Sequence, residues 1–117
     1  RKYTKMVQKF LKDELTPELS KLKKSEGRIL IKLIHRQTGQ TTFSLLKTLR
    51  NRFNAMVYNT TARFFDLNLK NEFQPEISIE DYYIEDIIQR SLRDNLIEYN
   101  KPHKSYDLFK LNSIWNK

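Results

Sequence analysis

The chain has 117 residues, a net charge of +8, no cysteine, two glycines and three prolines. The length suits one domain whose core needs no staple, and the absence of cysteine excludes disulfides, thiol nucleophiles and cysteine-based zinc sites. So few glycines and prolines disfavour a turn-rich all-β fold, and no run approaches the roughly 18 apolar residues that span a bilayer.

In chain order, Tyr3, Met6, Val7, Phe10, Leu11 and Leu15 recur at three- and four-residue steps, which predicts a helix over 2–15. Thr16-Pro17 reads as a restart, with Thr16 as N-cap and Pro17 in the first turn, and Leu19 and Leu22 extend an apolar edge. Ser25-Glu26-Gly27 is either a break or a soft point in one helix. From Arg28 to Ile34, five aliphatic residues cover about 200° of a helical wheel, which implies deep burial. A strand is the rival for 28–34, but the charge spacing fits a helix better, and Gly39 supplies a C-terminal stop.

Thr41 or Thr42 caps the next predicted helix, near 43–65. Its apolar side carries Leu45, Leu46, Leu49, Phe53, Met56, Val57, Thr60 and Phe64, with Ala55, Tyr58, Ala62 and Phe65 elsewhere. The apolar sides of 28–38 and 43–65 are expected to face each other, with the longer helix at the centre of the core. A connection over 66–77 leads to Ser78, which with Asp81 resembles a capping box. Ile79, Tyr83, Ile84, Ile87, Ile88 and Leu92 then define the expected buried face of a helix ending near Asp94. Residues 95–107 read as extended, and Leu108, Leu111 and Trp115 as a short apolar stripe.

The run Ser25-Glu26-Gly27-Arg28-Ile29-Leu30-Ile31-Lys32-Leu33-Ile34-His35-Arg36-Gln37-Thr38-Gly39, with Tyr58-Asn59-Thr60-Thr61-Ala62 and Ile84-Glu85-Asp86-Ile87, resembles an uncharacterised bacterial family, a domain of unknown function. The likeness covers roughly residues 6–92. Such proteins often carry an export leader, so the resemblance implies a periplasmic or envelope protein of which this chain is the C-terminal part. A start at Arg1 rather than methionine fits a processed form or a fragment. The family tends to place Gly and Trp in the stretch matching 51–57, and this chain has neither there. The resemblance implies no activity and no catalytic residue.

Charge is unevenly placed. Residues 1–36 hold eleven Lys/Arg and four Asp/Glu, whereas 72–98 hold two and eight. Arg28, Lys32, His35 and Arg36 share one helix face, which is either a contact for an anion or partner or a face neutralised by the acidic helix at 80–86. Glu26 and His35 are the residues to consider for acid–base chemistry, but they lie about 180° apart on a continuous helix, and no Gly-x-Ser-x-Gly turn marks a nucleophile. His35 and His103 stand in no metal-ligand pattern, and Glu80, Asp81, Glu85 and Asp86 lack EF-hand spacing, so capping and solubility explain the acids better. Asn59-Thr60-Thr61 is a sequon inside a predicted helix. The aromatic C-terminal third can stack on bases or sit at a membrane interface, but docking of the tail through Tyr106, Leu108, Phe109, Leu111 and Trp115 is the commoner use.

The expectation is therefore an all-α fold: a small single-core bundle of about four to five helices over 1–96, with an extended C-terminal tail over 97–117. No enzyme activity, cofactor or metal is expected. The leading functional expectation is a non-enzymatic protein-interaction or structural module of the cell envelope, its partner another envelope protein or an anionic surface. The alternative is nucleic-acid binding through the basic half, with helices 28–38 and 43–65 laid out as a helix-turn-helix.

Overall fold

The computed structural model describes residues 2–61 and 67–116, without the side chains of residues 4 and 52–61. Every regular element among them is helical. The first is a continuous rod of three parts: α1 (Lys2–Phe10), a π turn (Leu11–Leu15) and α2 (Thr16–Ser20). It is followed by α3 (Lys24–Thr38), α4 (Thr42–Thr61), α5 (Ile79–Arg93) and α6 (Leu108–Trp115). With the rod taken as one helix, five are described, and the 28–34 stretch is helix rather than strand.

The rod does not restart at Thr16. Thr16 keeps helical dihedrals, and both its backbone N–H and its hydroxyl donate to the carbonyl of Leu11, five residues back. Pro17 has no N–H to offer an α-helical ladder, and its ring crowds the carbonyl four residues earlier. Widening the preceding turn relieves that crowding without breaking the rod. The wide turn also cancels the drift that four-residue steps accumulate in an α-helix. Val7, Leu11 and Leu15 thus share one edge, which packs against Leu46 and Leu49 of α4.

The break falls at 21–23, and Ser25-Glu26-Gly27 forms the first turn of α3. The Glu26 carboxylate accepts the Lys23 N–H at 2.8 Å, covering a donor at the helix start. At the other end Gly39 has φ +75° and its N–H donates to the His35 carbonyl. Thr41 caps α4, its hydroxyl oxygen accepting the Ser44 N–H at 3.1 Å. The described half of α4 lies against the rod, where Leu46 and Leu49 meet Leu11. The facing of α3 and α4 expected from the sequence falls largely on side chains outside the described residues. Side chains read from sequence as its remaining apolar surface (Phe53, Ala55, Met56, Val57, Tyr58, Thr60, Ala62, Phe64 and Phe65) lie outside the described residues, as do those of the sequon Asn59-Thr60-Thr61.

A second apolar region forms where the 67–78 connection, α5 and α6 meet. Phe73, Pro75, Tyr82 and Leu111 are buried there. The connection read as a simple linker thus supplies two of the most buried side chains. Ser78 caps α5 by accepting the Asp81 N–H, but Asp81 does not reach back to complete a box, because its carboxylate is engaged elsewhere. After α5, Asn95 adopts φ 57° and the Leu96 N–H returns to the Ser91 carbonyl, a Schellman-type ending. The chain extends 52 Å along its longest axis and exposes 8590 Å². A compact monomer of this mass exposes only about 6800 Å².

A Cβ at position 39 would lie 2.6 Å from the His103 ring, in a backbone conformation that already disfavours side chains. Gly39→Ala is expected to lower unfolding free energy by about 1–2 kcal/mol, with Gly39→Asn costing less, since Asn tolerates left-handed dihedrals. Urea denaturation of both variants reads the difference, and equal losses would point to the His103 contact as the main cause.

Candidate functional site

Arg28, Lys32 and Arg36 stand at successive four-residue steps and so line one edge of α3. The start of α5 brings three carboxylates against that edge. Arg28 Nη1 reaches Glu80 at 2.9 Å, Lys32 Nζ reaches Asp81 at 2.6 Å, and Arg36 Nε reaches Glu85 at 2.7 Å. The pairs keep the same order in both helices, so α3 and α5 run in the same sense along this ladder. Exposure falls from one end to the other. The Arg28 and Glu80 side chains are 44% and 39% exposed, and those of Arg36 and Glu85 only 7% and 1%.

Burying a carboxylate is costly unless every oxygen finds a donor. Here each does. Glu85 Oε1 and Oε2 accept from Arg36 Nε and Nη2, and Oε2 also accepts from Gln89 Nε2. Asp81 Oδ1 accepts from Lys32, and Oδ2 accepts the Gln74 N–H at 2.9 Å. Arg36 Nη1 donates to Gln37 Oε1. The row read from sequence as an anion or partner contact is thus occupied by the acidic helix, the second of the two readings weighed for it. His35 sits apart from the row, its Nδ1 accepting the Phe73 N–H at 2.8 Å. Glu26 is spent on the α3 start, so the two residues considered for acid–base chemistry serve separate structural bonds.

This arrangement rotates α5 about its axis. Its buried edge is Asp81, Tyr82 and Glu85, while Ile79, Tyr83 and Ile87 are 47%, 54% and 55% exposed. The sequence placed Ile79, Tyr83, Ile84, Ile87, Ile88 and Leu92 inside; Ile84, Ile88 and Leu92 are half-buried, whereas Ile79, Tyr83 and Ile87 face water. Periodicity counted the aliphatic residues but could not see that three carboxylates had cations waiting on α3.

The tail docks through most of the residues expected of it. Leu111 is 2% exposed, and Trp115 stacks on Tyr82 while its Nε1–H donates to the Pro75 carbonyl at 2.7 Å. The Tyr82 hydroxyl bonds Asn112 on α6. Tyr106 meets Phe73 edge-on, and Leu108 is half-buried. Phe109 departs from the expectation at 81% exposed, because Asp107 caps α6 in an orientation that turns position 109 outward. Upstream, the His103 N–H donates to the Arg36 carbonyl at 3.0 Å and Pro102 is buried, so the tail straps the end of α3.

Between this strap and α5 lies a groove of about 550 Å³ lined by Arg36, Glu85, Gln89, Tyr99, Pro102 and Tyr106 among others. Partial burial, with Glu76 and Glu85 nearby, raises the pKa of the Tyr106 phenol above its ordinary value. Its polar floor is the innermost ladder pair, already satisfied. Among the described residues no cluster of His, Asp and Glu is arranged to hold a metal ion, and no helix is long and apolar enough to cross a membrane.

A family described as a domain of unknown function (DUF4294) matches residues 1–90. The chain belongs to this family. The matched span holds all three ladder pairs, whereas the strap and α6 lie beyond it. The family's description names no activity. No curated protein and no solved structure shows significant similarity to the chain.

The exposure gradient predicts unequal costs along the ladder. Arg36→Ala leaves Glu85 buried and unpaired and is expected to cost about 3–5 kcal/mol. Arg28→Ala removes a half-exposed pair and is expected to cost less than about 1 kcal/mol. The double substitution Arg36→Met/Glu85→Leu is expected to recover much of the single-variant loss. Denaturation midpoints of the three proteins check the order.

Proposed function

We propose that this chain is a non-enzymatic helical interaction module of the cell envelope, and that the outward edge of α5 receives a partner protein. The observation that carries the reading is the rotation of α5, which buries Asp81 and Glu85 and leaves three apolar residues outside. A helix whose charged edge is sequestered and whose Ile79, Tyr83 and Ile87 face water, with Ile77 72% exposed just before it, keeps a contiguous apolar stripe available. Such a stripe, rimmed by the Asp86–Arg90 pair, has the makeup of an interface centre with a polar edge. The surplus of accessible surface over a compact monomer supports the same view. The envelope assignment rests on the family resemblance.

Nucleic-acid binding through the α3 row is the weaker reading, since Arg28, Lys32 and Arg36 are engaged by carboxylates and a phosphate would have to displace them.

A photo-cross-linking side chain placed at position 83 or 87 of the full-length protein in its own cells is expected to yield a discrete protein adduct. The same probe at exposed Lys110 is expected to give none. Tyr83→Asp/Ile87→Asp should abolish association while changing stability by no more than about 0.5 kcal/mol per site, as at other exposed positions. No adduct from either stripe position in a well-expressed protein would defeat the proposal.

A further inference from the structure

The ladder changes where free positive charge lies. With the α3 cations engaged, a run of positive charge remains at the start of the N-terminal rod, where residues 2–12 hold four lysines and no acid. Lys2, Lys5, Lys9 and Lys12 follow one another at three- and four-residue steps, all exposed, and none pairs with an acid among the described residues. The described half of α4 beside the rod adds exposed Lys47 and Arg50 and no acid.

The same helix presents an apolar edge that nothing among the described residues covers. Tyr3, Met6 and Phe10 are 65%, 66% and 48% exposed. At 100° per residue they fall between the lysine edge and the Val7–Leu11 edge that packs on α4. α1 therefore has three sides: one docked on the fold, one apolar and open, one cationic. Asp13 and Glu14 close the open strip at the π turn, which confines the footprint to residues 2–12.

We propose that α1 lies in the interface of an anionic lipid bilayer, with Tyr3, Met6 and Phe10 entering the headgroup region and Lys2, Lys5, Lys9 and Lys12 meeting lipid phosphates. Aromatic and thioether side chains flanked by lysines are the makeup of an in-plane interfacial helix, and the flexible lysine stems lie along the apolar boundary while their ammonium groups stay wet. A nucleic-acid backbone would satisfy the lysines but leave Met6 and Phe10 in water. A second copy docked α1 to α1 would set lysine rows against each other, and the α5 stripe of a second copy has spent most of its carboxylates. This surface is separate from the α5 stripe and stands or falls without it.

Vesicle flotation of the whole protein tests the assignment, with phosphatidylcholine vesicles compared with phosphatidylcholine–phosphatidylglycerol vesicles. Binding is expected only to the anionic mixture and is expected to weaken as salt rises. Lys5→Glu/Lys9→Glu should lower binding at least about tenfold, and Met6→Ser/Phe10→Ser at least about fivefold even at low salt. Lys101→Glu/Lys110→Glu, an equal change of charge on the tail, should leave binding within about twofold. Circular dichroism checks that each variant keeps its helices. Unchanged binding in the α1 variants, or equal loss in the tail variant, would overturn the proposal. So would displacement from vesicles by a duplex oligonucleotide of equal affinity, or a dimer dispersed by Met6→Ser/Phe10→Ser in a protein that ignores vesicles.

Discussion

The orientation of α3 against α5 depends on one buried pair, Arg36 with Glu85. A guanidinium and a carboxylate this far from water are tolerable only while both stay in register, since either one alone is an uncompensated charge. That requirement fixes α5 about its own axis. Rotating it to bury Ile79 and Ile87 would gain apolar contact but would strand Arg36 and Lys32. The outward aliphatic stripe, the groove above the pair and the strap that covers it follow from that constraint. A buried pair of this kind contributes more to uniqueness of arrangement than to net stability, since apolar replacements of similar volume often do as well energetically.

Local chemistry was legible in the sequence wherever its cause was local. The apolar breadth of Arg28–Ile34 and the glycine at 39 marked α3 as a helix and set its end, though not its start at Lys24, and a cap at Thr41 or Thr42, a cap at Ser78 and an aromatic tail were readable too. The π turn was not legible, because Thr16-Pro17 carries the same residues as an ordinary helix start, and only the carbonyl five residues back distinguishes the two. Phe73 and Pro75 were passed over because a short polar connection gives no periodicity to read.

The ladder was half legible. Its cations were picked out as a face, and neutralisation by 80–86 was one of two readings of them. What could not be read was the consequence for α5, because a hydrophobic pattern ranks residues one helix at a time and assigns carboxylates to solvent by default. The usable signal is pairwise: a row of cations at four-residue steps on an otherwise apolar helix, and a row of acids on another helix of the same chain. Where two such rows exist, the apolar residues opposite the acids are candidates for the outside. His35 shows the same limit, since its partner is a backbone N–H 38 residues away that no motif marks.

The three ladder contacts join residues 49 to 52 positions apart. A ribosome must therefore deliver nearly the whole domain before α3 meets its counterpart. Until then the cations of Arg28, Lys32 and Arg36 have no carboxylate from α5 to neutralise them. Closing so long a loop is slow compared with forming either helix, so docking of α5 is a late step in assembly. The strap over 95–107 leaves the ribosome later still, and its His103 N–H closes on the Arg36 carbonyl.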